Sequence, residues 1–196
     1  MRVSTMALGA LLLLLGTGCG GSGTRPEDMS AKAHETEARE SDSSANLHEA
    51  MAASGGQQGG SARHYGMSAS ARRHADAHRV AAATLRSNET VECQGLDNEV
   101  RAYCPLVMLP VTLVERTPDG VRVTYAGANA EMLLHEVKCH VANGATIGRK
   151  DMDGCPLYQN GLSITTAIVP GGAVLILSTK DKDARKVIQD AYVAQN

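Results

Sequence analysis

The chain has 196 residues, a net charge of −2, five tyrosines and neither phenylalanine nor tryptophan. Its C-terminal two thirds carries equal numbers of acidic and basic residues. That balance, with so few aromatic rings, argues against a basic nucleic-acid footprint and against base-stacking platforms. A core here must be built from Val, Leu, Ile and Ala.

The first residues read as a targeting segment, to be set aside before the fold is considered. Met1-Arg2 gives a positive start, Ala7 to Leu15 an apolar stretch too short to span a bilayer, and Gly16-Thr17-Gly18 the small residues before Cys19. This pattern resembles the lipobox of bacterial lipoproteins, with Gly16 at the place where those proteins usually carry Leu. The resemblance implies cleavage after residue 18, a diacylglyceryl group on Cys19, and an exported protein held by lipid in the cell envelope, at the outer membrane facing the periplasm. The membrane, through that anchor, is the one partner implied; the protein partner stays unknown, and no nucleic acid and no cofactor are expected.

Residues 19–66 are rich in Gly, Ser, Ala, Glu and Gln, with Met29, Leu47 and Met51 the few large apolar side chains. Such a segment buries too little apolar surface to offset its ordering entropy, so a flexible spacer is expected, with a weak helical tendency over 31–53. Residues 67–196 form the expected domain. Met67 to Val91 has helical spacing, with Ser68 or Ser70 as the cap and Ala71, Ala75, His78, Ala82 and Leu85 on one face. A connector over 93–105 leads to an alternating strand, 111–117, with Pro110 marking either the strand start or a sheet edge. Pro118-Asp119-Gly120 makes a turn, and Val121, Val123 and Tyr125 alternate on its far side.

Asn129 caps a helix over 130–142 with the stripe Leu133, Val137 and Val141, which Asn143-Gly144 should stop. A second hairpin, 162–169 and 173–179, surrounds Pro170-Gly171-Gly172. The last helix, 182–194, shows Ala184, Val187, Ile188 and Ala191 on one face. The two Pro-x-Gly turns lie fifty-two residues apart, so the element order repeats although the residues do not. The order α-ββα-ββα predicts an α+β fold: a four-stranded, mostly antiparallel sheet with helices packed on one face.

Four cysteines follow Cys19. An even number in an exported chain reads first as two disulfides, with three connectivities open. Cys93–Cys104 with Cys139–Cys155 is the expected pairing, because each bridge would clip one local connection. A metal site is the alternative. His135 and Cys139 share one side of a helix, as do His74 and His78 on the helix before it, and helical pairs at this spacing chelate zinc or copper. His140 and Cys155 complete the alternative ligand set. The paired carboxylates Asp151 and Asp153 beside Arg149 and Lys150 read as a solvated turn.

Two resemblances bear on these residues. A hairpin, a helix with a Cys near its end, then Cys155-Pro156 and a strand resembles the OsmC-type peroxidases and implies a thiol oxidoreductase. That family has a longer insertion between its cysteines and a partnering Arg and Glu. The spaced motifs Cys93-Gln94-Gly95-Leu96, Cys139-His140-Val141-Ala142 and Cys155-Pro156-Leu157 resemble an uncharacterised group of exported bacterial proteins. Cys104 departs from that group's pattern, so the resemblance implies Cys93, Cys139 and Cys155 as the recurrent set and brings no activity with it. No catalytic signature is evident, so a non-enzymatic binding or structural module is the expectation.

Overall fold

The computed structural model describes residues 23–27, 29–54, 60–148, 155–159 and 161–193. The expected signal segment, Cys19, and the Arg149–Asp153 turn lie outside the described residues.

Among the described residues, five helices and one sheet make up the fold. Helices α1 (Ala31–Ser54) and α2 (Gly60–Glu92) precede a short α3 (Asn98–Ala102) and a 3-10 turn over Pro105–Val107. Strands β1 (Val111–Thr117) and β2 (Gly120–Ala126) lead into α4 (Ala130–Ile147). A second 3-10 turn, Pro156–Tyr158, then precedes β3 (Ser163–Val169), β4 (Gly172–Ser178) and α5 (Lys182–Val193). The expected α+β class, strand pairs and element order are all present. Every neighbouring pair is antiparallel, in the order β1-β2-β4-β3.

The two ββα halves are related by a pseudo-twofold axis through the middle of the sheet. Val123 and Leu175 hold the same position in their halves, and they are paired with each other in the β2–β4 ladder. Hydrogen bonds closing the ends of the sheet repeat the relation: Gly127 N–H donates to Gly171 O at 2.8 Å, and Thr179 N–H to Asp119 O at 2.9 Å. Val121, Val123 and Tyr125 of β2 share one face with Ala173, Leu175 and Leu177 of β4, as period-two alternation requires, and all six are buried. Helix α4 packs on β3 and β4, whereas α5 packs on β2 and β1, so each half covers the other's strands. Leu133, Val137, Leu157, Ile188 and Tyr192 complete this core. Each such side chain contributes roughly 1.5–3 kcal/mol on burial.

Several details differ from expectation. Helix α4 does not stop at Asn143-Gly144 but runs to Ile147, ending at Gly148 with φ 107°. Asn143 donates to Glu89 Oε1 of α2 at 2.8 Å, and Gly144 leaves the space that the Tyr158 ring fills, so tertiary contacts offset the poor helix propensity. Asn129 does cap this helix, accepting from Met132 N–H at 2.9 Å. On α5, Val187 is exposed, and Tyr192 takes the buried position beside Ile188.

The larger correction concerns the spacer. Residues 31–54 form a regular helix antiparallel to α2, which begins at Gly60. Ala31, Ala38, Ala45 and Ala52 recur every seven residues and are all buried, facing an α2 seam that includes Ser68, Ala75 and Ala82. A seven-residue repeat keeps a seam facing its partner helix, and alanine lets the backbones approach closely. Ser68 is therefore no cap: it sits within α2 and donates to Glu49 Oε1 of α1 at 3.0 Å. Arg72–Glu49 and Arg86–Glu35 pairs, at 2.7 and 2.6 Å, flank the seam, as does Arg79–Asp42. All are solvent-exposed and add little each. Among the described residues, no helix is long and apolar enough to cross a membrane.

Candidate functional site

The cysteines are not paired as expected. Cys93, at the end of the hairpin, is bonded to Cys139 of α4 with S–S 2.06 Å and Cα–Cα 4.6 Å, which is the crossed connectivity. Sequence-local clipping was the wrong criterion. α2 packs directly on α4, so the cysteine following α2 reaches the α4 cysteine before it reaches Cys104. The bond removes Cys139 from the expected ligand set. His135, one turn earlier, is half-buried and outside the cluster described next.

Cys104 and Cys155 remain as half-buried thiols. Each directly precedes a proline, which restricts it to extended backbone, and each starts a 3-10 turn whose following leucine, Leu106 or Leu157, is an anchor in the core. The repeated Cys-Pro-Leu thus enters each half of the fold in the same way. The pseudo-twofold relation brings the two entrances together, with Sγ atoms 3.2 Å apart. His140, fully buried on α4, places Nε2 3.5 Å from Cys155 Sγ. The three donor atoms of Cys104, His140 and Cys155 lie within 4.8 Å of one another.

The imidazole is held from both sides. Its Nδ1 lies 3.2 Å from the carbonyl of Arg101, which can only accept, so the proton belongs on Nδ1 and Nε2 presents a lone pair. Tyr158 Oη lies 2.7 Å from that Nε2 and 3.1 Å from the carbonyl of His140 itself. The ring of Tyr158 reaches this place only because residue 144 is glycine. A Cβ there would stand 2.1 Å from Tyr158 Cε1.

The electrostatics separate the two thiols. Cys155 hydrogen-bonds to Cys104 and holds its thiol down at about 5, against the burial that opposes ionisation. Cys155 is pushed strongly upward by the same hydrogen bond and by burial. The two sulfurs share a hydrogen bond that favours the first ionisation of the pair and opposes the second. Behind it, the hydroxyls of buried Tyr125 and Tyr192 act on each other. Burial pushes Tyr125 up to about 12 and Tyr192 further up, with the Cys104 charge contributing to both.

Replacing Cys155 by alanine deletes the donor that stabilises the Cys104 thiolate. The pH at which Cys104 is half-alkylated by iodoacetamide should then rise by more than one unit, towards or above the ordinary thiol value of about 8.5. An unchanged profile would show that the Cys155 hydrogen bond is not what ionises Cys104.

Of the expected metal ligands, the structure unites His140 and Cys155, adds Cys104, diverts Cys139 into the disulfide and leaves His135 outside. Tyr158 was not anticipated. Its place two residues after the second Cys-Pro was the available signal, because the 3-10 turn begun by that proline carries the ring back towards α4. No protein-family model, curated protein or solved structure matches the chain.

Proposed function

We propose that the chain is a lipid-anchored envelope protein whose α+β domain binds a thiophilic transition-metal ion, Zn2+ or Cu+, through Cys104, Cys155 and His140. The observation that carries this reading is the convergence of two sulfurs and one imidazole nitrogen from three separate elements. That is a donor set suited to zinc and to Cu+. The Arg101 carbonyl on the far side of the His140 ring is the kind of outer partner that orients ligating imidazoles. Tyr158 Oη or a water would supply a fourth ligand. The lipobox-like run ending at Cys19 supports the anchor.

A second reading is a reversible dithiol, in which Cys104 and Cys155 pass two electrons and two protons to a partner's disulfide. The 3.2 Å sulfur separation favours it, since tetrahedral zinc thiolates at about 2.3 Å from the ion hold their sulfurs roughly 3.7 Å apart.

Intact mass and metal content of protein prepared from an oxidising compartment without reductant separate the two. Metal binding predicts one disulfide, two thiols and one equivalent of zinc or copper held by the thiol cluster, so that Cys104→Ser lowers the metal content by one equivalent. A mass lower by two more hydrogens with no metal would overturn it in favour of the dithiol. In the same preparations, Cys19→Ala should move the protein from the membrane to the soluble fraction, and unchanged fractionation would refute the anchor.

A further inference from the structure

The α1–α2 hairpin carries a second cluster of nitrogen ligands, remote in sequence from the thiols. His74 and His78 stand one turn apart on α2 with Nε2 atoms 3.1 Å from each other. His78 Nδ1 lies 2.8 Å from Nδ1 of His34 on α1, and His34 Nε2 lies 3.1 Å from the carbonyl of Arg25. The carbonyl fixes the direction of the whole chain: His34 donates from Nε2 to Arg25, His78 donates from Nδ1 to His34, and His78 Nε2 is left as a lone pair facing His74. His34 and His78 are fully buried, whereas His74 is half-exposed and open to solvent.

We propose that His74 and His78 form a site for a borderline divalent cation, Zn2+, Ni2+ or Cu2+, and that His34 orders this site from the neighbouring helix. Two cis nitrogens about 2.1 Å from one ion stand roughly 3.0–3.4 Å apart, which is the spacing found here. The rings stand at 83° with centroids 4.5 Å apart, so a cation in place of the shared proton requires the half-exposed His74 ring to turn its lone pair towards a point beside the two nitrogens. The half-exposed edge at His74 leaves room for water to fill the remaining coordination positions. Because His34 belongs to α1, the ion is held best when the hairpin is closed, and metal binding stabilises α1 on α2. The site shares no residue with the thiol cluster and does not depend on it.

The test is calorimetric titration of the full chain with Zn2+ alone and with Ni2+ alone, in a Cys104→Ser/Cys155→Ser background that silences the thiols. One equivalent should still bind, and His74→Ala, at a half-exposed position, should abolish binding with the far-UV circular dichroism unchanged. His34→Gln should weaken it about ten- to a hundredfold, as expected for loss of a ligand's outer partner. No binding in the thiol-free background, or binding that survives His74→Ala, would overturn the site. Equal affinity with His34→Gln would overturn the coupling to α1. Failure of the thiol site shows instead as an unchanged metal content in Cys104→Ser, so the two results are read independently.

Discussion

Replacing both Cys93 and Cys139 by alanine should lower stability by about 4 kcal/mol, the largest loss expected from any change away from the sheet. The bond spans a sequence separation of 46, and closing a loop of that length removes roughly this much free energy's worth of chain entropy from the unfolded state. The effect should be felt first where α2 meets α4. The bond is a covalent cross-link between the hairpin and the α+β layer beyond the main chain itself, and it is joined there by packing and the Asn143–Glu89 hydrogen bond. For a chain this long the loss corresponds to a fall of about 10 °C in melting temperature. Hydrogen exchange should speed up in α1 and α2 before it does in β2 and β4. A double variant that melts within a degree or two of the parent would show that the hairpin is docked by packing alone.

Alanine at Gly120 or Gly172 should force the two central strands apart at one end of their ladder and destabilise the sheet severely. These glycines hold the same place in the two halves, at the outer ends of the central β2–β4 ladder. A Cβ at Gly120 would lie 1.8 Å from the carbonyl oxygen of Leu177, and one at Gly172 would lie 2.0 Å from that of Tyr125. Both obstacles are backbone atoms in the neighbouring strand, so no rotamer change relieves them and strand pairing must yield. A cost above about 4 kcal/mol is expected for each, enough with a marginally stable domain to leave little folded protein. Gly171 is the control. Its φ of 81° makes alanine unfavourable, but nothing stands in the way of a Cβ, so the cost should be only about 1–2 kcal/mol. Urea denaturation of the three variants gives the comparison. Equal losses at Gly120, Gly171 and Gly172 would contradict the β2–β4 register.

The parts of the fold that could be read from the sequence are those fixed by local chemistry. Pro118-Asp119-Gly120 and Pro170-Gly171-Gly172 mark hairpins whatever surrounds them, and alternation in β2 and helical spacing in α5 follow directly from burying one face. The hairpin α1 was hidden because its seam is alanine. Such side chains add little apolar surface, so their burial leaves almost no hydropathy signal, and only the seven-residue recurrence of Ala31, Ala38, Ala45 and Ala52 betrays it. The disulfide pairing was hidden for a different reason. Which cysteines meet depends on α2 docking against α4, a contact that no local pattern specifies.

The candidate site was half visible. His140 and Cys155 stood out by residue type, and His74 and His78 by spacing. The convergence of Cys104 with Cys155 follows from the pseudo-twofold relation between the halves, visible in sequence only as two Cys-Pro-Leu runs. The role of Gly144, which looked like a helix stop, became clear only once Tyr158 was seen to occupy its open side.

The most direct test of a metal-binding domain is X-ray absorption at the metal edge on the protein loaded with one equivalent of Zn2+ in a His74→Ala background. The expected spectrum is a first shell of two sulfurs and one imidazole nitrogen, completed by one oxygen, with sulfur at about 2.3 Å. A shell of nitrogen and oxygen alone, or failure of the reduced protein to retain zinc, would contradict it.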